Sequence, residues 1–229
     1  YARFVSIANV LLHSQPKNVR RRFNELSSTA SKIIDQHGLT WIKTRGEAEE
    51  RFGAAIGQQL AILAGLYDSS EGSHLFVPDT NALLHNPSLE DWDFEGTNRF
   101  GVILSTTVLS ELDSLKVNHR NEQVRKKAEG LIRRIKGYRS RGHLTDGITL
   151  RSGRSTLQAL AIEPDMENTL PWLDPGNSDD RILASLVEVM RQHPRCTVTL
   201  VTRDINLQNK AEHARLDFIE PPDPPVSTT

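Results

Sequence analysis

Two hydrophobic periods divide the sequence. Up to about residue 66 apolar positions recur every three or four residues. Val19, Phe23, Leu26, Ala30 and Ile33 share one helical face, and Ala48, Phe52, Ile56, Leu60 and Leu63 nearly repeat the pattern. Between them, residues 38–42 (Gly-Leu-Thr-Trp-Ile) read as an extended piece. The polar stretch 68–73 has the composition of a flexible link. From His74 onward the period changes, and short apolar runs of strand length alternate with amphipathic stretches. Strands are predicted at 75–77, 101–105, 148–150, 157–161, 196–201 and 216–219. Helices are predicted around Val108–Leu115, Val124–Ile135, Ile182–Met190 and 205–214. Strands alternating with helices predict an α/β fold on a mostly parallel sheet, here with an N-terminal helical extension. The expected divisions are a helical region 1–67, a link 68–73, an α/β domain 74–220 and a proline-rich tail 221–229, extended and poorly ordered.

Composition adds limits more than identity. With 229 residues, 37% hydrophobic and 25% charged, the chain is long enough for one large or two small globular domains. Its formal charge of −1 exerts no overall pull toward nucleic acid or membrane, but conceals local clusters. Lys17, Arg20, Arg21 and Arg22 open the first long helix and read as a solvated face. Residues 119–143 carry Arg120, Arg125, Lys126, Lys127, Arg133, Arg134, Lys136, Arg139 and Arg141 against Glu122 and Glu129, a candidate track for phosphates. Tyr138 and Trp172 are candidate base-stacking groups, with ordinary packing the expected role of both. The lone Cys196 permits no internal disulfide and no thiolate metal site, and favours a reducing, cytoplasmic setting. No run reaches the roughly 18–20 apolar residues of a membrane span, so no membrane contact is expected.

The chemistry lies in acidic residues at strand-to-helix handovers. Asp79 follows the first strand, Asp204 follows the late strand 196–201, Asp180 opens a helix, and Glu111 sits about one turn into another. Singly, each aspartate has a structural explanation, since aspartate caps free helix N–H groups. Glu111 alone reads as an exposed helical glutamate. Together they converge, because all carboxyl ends of a parallel sheet lie on one side, where ligands bind. Two like charges about 4 Å apart repel by roughly 4 kcal/mol at an effective dielectric of 20, so such a group calls for protons or a cation. Oxygen donors without clustered histidine or cysteine point to Mg²⁺ or Mn²⁺. A carboxylate cage of that kind suits phosphodiester hydrolysis by metal-activated water. Thr80 and Thr202 are placed to hold a carboxylate or water, and Asn81 and Asn206 to orient one; turn and capping roles explain them equally well.

Four short motifs carry a family resemblance. Asp79-Thr80-Asn81, Ser110-Glu111-Leu112, the run Asp179-Asp180-Arg181-Ile182-Leu183-Ala184, and Thr202-Arg203-Asp204-Ile205-Asn206-Leu207 resemble, in order, the motifs of the PIN-domain nucleases. The likeness spans about 75–219 and is specific as an ordered quartet. It implies a doubly wound sheet, a metal-dependent endoribonuclease acting on single-stranded or structured RNA, and metal ligands at Asp79, Glu111, Asp180 and Asp204. The spacing to the apolar pair matches Asp180, leaving Asp179 as a cap or a group behind the ligands. Partners that fit the resemblance are RNA, an antitoxin-like protein and further copies of the chain. Two rivals stand beside it. One is a catalytically silent module of the same fold that binds RNA or protein. The other is a phosphoacceptor signalling domain, which by family resemblance places a lysine just after a late strand, where this chain has Thr202-Arg203-Asp204.

Overall fold

The computed structural model describes residues 1–35, 42–67 and 74–224. Residues 38–41 of the expected extended piece, the link 68–73, and 225–229 of the tail lie outside the described residues.

From His74 the chain alternates as its pattern requires. Strand β1 (His74–Pro78) leads to helix α4 (Thr80–His85), then β2 (Phe100–Leu104), α5 (Thr106–Asn118) and α6 (Glu122–Tyr138). There follow β3 (Ile148–Arg151), β4 (Ser155–Ala159), α7 (Ser178–Gln192), β5 (Thr197–Val201), α8 (Ile205–Ala214) and β6 (Phe218–Ile219). They form one six-stranded sheet in the order β3-β4-β2-β1-β5-β6. Only β3 runs antiparallel, pairing with β4 as a hairpin through Ile148 and Leu157. The fully buried runs in β1 and β2 explain their unbroken apolar sequences, because each strand is covered on both faces. Gly101 leaves room for the Leu75 side chain: a Cβ there would lie 2.8 Å from Leu75 Cδ2.

The strand order reverses at β1. The chain steps outward through β2 and β4, then returns across the sheet to β5 and β6. Right-handed crossovers therefore put α4, α5 and α6 on one face and α7 and α8 on the other. The crevice at the carboxyl ends of β1 and β5 is the switch point where such sheets accept ligands.

The N-terminal residues form α1 (Ala2–Leu12), α2 (Lys17–Asp35) and α3 (Arg45–Tyr67). Helices α2 and α3 pack together around Leu26, Ala30 and Ala55. The expected inner face of the later helix is corrected at one position. Leu60 is 51% exposed, whereas Gln59 is fully buried. A true helical stripe through Phe52, Ala55 and Ile56 arrives at 59, not 60. Gln59 is tolerated inside because it is satisfied: its amide donates to Ser27 Oγ at 2.7 Å and its carbonyl accepts from Tyr1 Oη at 2.9 Å. Helix α1 meets the sheet domain, with Ile7, Val10 and Leu11 against the main core. Arg191 of α7, 5% exposed, donates to the carbonyls of Val10 at 2.8 Å and Asn168. At the far end, Pro221 is buried and Asn86 Nδ2 holds the Pro222 carbonyl at 3.1 Å, so the first residues of the tail are tethered. No helix among the described residues is long and apolar enough to cross a membrane.

Candidate active site

Each strand that ends at the switch point is followed by a capping carboxylate. Asp79 is the N-cap of α4, its Oδ1 accepting the Ala82 N–H at 2.6 Å. Asp204 caps α8, accepting from the N–H groups of Asn206 and Leu207. The capping explanation is therefore correct, and it is also what fixes these side chains at the sheet edge. Thr202, fully buried, ties the two together: its hydroxyl donates to Asp79 Oδ2 at 2.5 Å and accepts the Asp204 N–H at 3.0 Å. On the neighbouring helices, the Thr80 hydroxyl donates to Glu111 Oε2.

These groups surround a cavity of about 320 Å³ lined by Asp79, Thr80, Asn81, Glu111, Asp179 and Asp204, with Ser114, Leu115, Ser178 and Ile182 completing the wall. Among the described residues no lysine or arginine lines it. A larger hollow of about 570 Å³ lies over His74, Phe76, Thr197, Thr199 and Phe218, toward the amino ends of the strands; its carboxylates Glu95, Glu212 and Asp217 share the lining with Arg215.

The two adjacent aspartates take opposite places. Asn177 caps α7, accepting from the N–H groups of both Asp179 and Asp180. From that first turn Asp179 opens onto the cavity. Asp180, 6% exposed, turns inward behind it. Lys210 Nζ lies 2.7 Å from Asp180 Oδ1 and 3.8 Å from Asp179 Oδ2, and the Asp174 N–H donates to Asp180 Oδ2 at 2.9 Å. Motif spacing favours Asp180 as the inner ligand; in the structure Asp179 lines the cavity and Asp180 is turned toward Lys210.

Electrostatics follow the same division. Burial pushes Asp79 up to about 6, opposed by the bonds from Thr202 and Ala82 and reinforced by the charges of Asp204 and Glu111. Asp179 is also raised, by burial first, with Lys210 opposing and Asp204, Glu111 and Asp180 adding. Carboxylates from four parts of the chain therefore feel one another across the cavity. Among the described residues, however, no three acidic, histidine or cysteine side chains already stand close enough to hold one ion. The donors ring a space and do not converge on a point. In kind they fit a hard dication: they are all oxygens, two resist ionisation, and no protein cation lines the cavity.

The other sequence candidates divide. Asn81 lines the cavity, whereas Asn206 is exposed and meets Asp204 through its backbone N–H. Several cations of the α6 segment are engaged. Arg125 clips the carbonyls of His119 and Arg120, Arg134 holds Pro87 O and Ser88 Oγ, and Arg141 reaches the carbonyls of Thr149 and Leu150. Lys126 pairs with Glu122 and Arg133 with Glu129. Arg120, Lys127, Lys136 and Arg139 are exposed, with no side-chain partner among the described residues. Tyr138 is 3% exposed and donates to Glu90, so it is a packing residue, as expected. Lys210 escaped sequence reasoning. Its one signal is that it is the only lysine in α8, within two turns of Asp204.

Fold and cavity define an α/β protein with an acidic site at the carboxyl edge of a doubly wound sheet. The chain belongs to the PIN-domain family, whose model matches residues 76–220, more than half its length. That family is of nuclease type, and its members typically use divalent metals. No curated protein matches the chain.

Proposed function

We propose that the chain is an Mg²⁺- or Mn²⁺-dependent endoribonuclease whose metal ligands are drawn from Asp79, Glu111, Asp179 and Asp204. The observation that carries this reading is that these four carboxylates, from separate parts of the chain, share one cavity at the switch point with no basic side chain among its walls. When bound, the dication supplies Lewis-acid polarisation of the phosphate and a lowered pKa for the attacking water. The chain's own residues position that chemistry. Thr202 fixes Asp79, leaving it little rotational freedom, and Thr80 does the same for Glu111. Lys210 pairs closely with Asp180 and more distantly with Asp179, whose side chain lines the cavity. The free cations of the α6 segment, Arg120, Lys127, Lys136 and Arg139, give an RNA strand non-specific backbone contacts.

A catalytically silent RNA-binding module is the second reading. The spacing of the ring favours it, since no three donors among the described residues already meet at ion-binding distance. One assay separates the two: cleavage of single-stranded RNA with Mn²⁺ and with EDTA, for the parent, Asp179→Asn and Asp79→Asn. Mn²⁺-dependent cleavage that both substitutions abolish supports the nuclease. Metal-independent binding without cleavage selects the silent module.

A further inference from the structure

Trp172 sits at the tip of a tight turn, with the Leu173 N–H bonded to the Leu170 carbonyl at 3.1 Å. Leu170 and Leu173 are buried at 4% and 8%, so the turn is anchored on both sides while Trp172 stays 40% exposed. A large indole held out on an anchored turn has little to do for the core. Its one ring contact among the described residues is edge-on to His213 of α8, with centroids 5.3 Å apart at 78°.

Two routes connect this aromatic to the acidic cavity. Along the loop, Asp174 lies two residues on and donates its N–H to Asp180, whose neighbour Asp179 lines the cavity. Along α8, Lys210 bridges Asp179 and Asp180, and His213 lies one turn further, a rise of about 4.5 Å. A cation completes the patch. Arg3 of α1 is exposed, donates to the His213 carbonyl at 2.5 Å and has no carboxylate partner among the described residues.

We infer that Trp172, braced by His213, is a stacking platform for a base of a single-stranded nucleic acid, with Arg3 holding an adjacent phosphate. The platform lies on the α8 side of the cavity. It is a positioning element and touches no reacting atom. An accessible flat ring and a guanidinium without a carboxylate partner among the described residues, both in contact with His213, suit the alternation of base and phosphate along a single strand. This inference rests on the nuclease reading for its substrate class. It deepens that reading by giving the strand a foothold at the far end of α8, about 13.5 Å along the helix from Asp204.

The test is binding of a short fluorescein-labelled oligouridylate to the full chain in EDTA, followed by anisotropy, so that no cleavage intervenes. Trp172→Ala should weaken binding about tenfold, the size of one stacked base. Trp172→Phe, which keeps a stacking face, should bind nearly as the parent does. Arg3→Ala should make the salt dependence shallower, by about the share of one neutralised phosphate. An oligomer carrying abasic sites should bind the parent and Trp172→Ala equally. Oligouridylate should also quench tryptophan emission in the parent but not in Trp172→Phe, a readout that survives if the alanine variant folds poorly. Equal affinity of the parent and Trp172→Ala for oligouridylate overturns the platform. So does failure of the parent to bind, or quenching that persists in Trp172→Phe. Trp172-dependent binding without Mn²⁺-dependent cleavage leaves the platform standing and removes the nuclease. Normal cleavage with a silent Trp172→Ala does the reverse.

Discussion

The two walls of the acidic cavity solve the same electrostatic problem differently. On the β1–α4 wall, Asp79 is 3% exposed and has hydrogen bonds but no cation, and its pKa rises to about 6. On the α7–α8 wall, Asp180 is 6% exposed, but an ammonium lies 2.7 Å away. Burial is nearly equal; the partner differs. A buried carboxylate with its own lysine is internally compensated, while one without is an energetic liability unless something binds. The difference marks Asp180 as a compensated, structural carboxylate and Asp79 as one left open to a ligand.

The largest expected effect breaks this comparison directly. Asp79→Asn and Asp179→Asn should each lower Mn²⁺-dependent RNA cleavage by more than about 100-fold, beyond the roughly 10–100-fold typical of groups behind metal ligands. Asp180→Asn should fall within that lower range. Initial rates at saturating Mn²⁺ decide it, and a ranking with Asp180 worst would return the ligand role to Asp180. Next comes Lys210→Met, which strands Asp180 without its ion partner. A fully buried pair broken this way costs about 3–5 kcal/mol; Lys210 is 29% exposed, so about 2–3 kcal/mol is expected in urea melts. Added Mn²⁺ should restore part of it, as a dication can replace the missing charge.

How much of this could be read from the sequence depended on whether a residue acts through its own neighbours or through distant ones. The strands and helices after His74 were readable because period and caps are local; the helix expected at 205–214 appears as Ile205–Ala214. Three of the four proposed ligand positions are equally local, since Asp79 and Asp204 cap the helices that follow the strands and Glu111 is one turn into α5. The choice between Asp179 and Asp180 was not local. It depends on Lys210, 30 residues further along the chain, which only the fold brings to 2.7 Å. The arginines of α6 teach the same lesson, because charge counted along the sequence does not reveal which guanidiniums are already bonded to backbone carbonyls. Gln59 and Leu60 differ by one residue, a step that coarse periodicity cannot resolve but a helix of 3.6 residues per turn must.

The uncompensated wall predicts a pH signature without metal. The folded pKa of Asp79 lies above its ordinary 3.8, so the folded state holds the proton more tightly. That contribution is complete below about pH 4 and is lost as pH rises through about 6. At pH 7 and in EDTA, Asp79→Asn should therefore be more stable than the parent, by about 3 kcal/mol. Asparagine can still accept the Ala82 N–H. Near pH 4 the two proteins should converge. Melting curves across that range check the sign, and a parent that is the more stable at pH 7 would contradict it.

The smallest effect separates structural from free cations behind the β1–α4 wall. Arg134 ties α6 to the carbonyl of Pro87 and the hydroxyl of Ser88, and Arg141 ties the turn after α6 to β3. Replacing Arg134 with alanine should cost about 1 kcal/mol of stability, the worth of ordinary hydrogen bonds, and leave the salt dependence of RNA binding nearly unchanged. Replacing Lys127, Lys136 and Arg139 together should do the opposite. Stability should hold, because none of them has a side-chain partner among the described residues. Binding should weaken evenly across RNA sequences, and the slope of log affinity against log salt should become shallower by about 0.7 for each phosphate no longer neutralised. A slope change in Arg134→Ala, or none in the triple variant, would mean that the strand does not run along this helix and that the α8 side alone binds the RNA backbone.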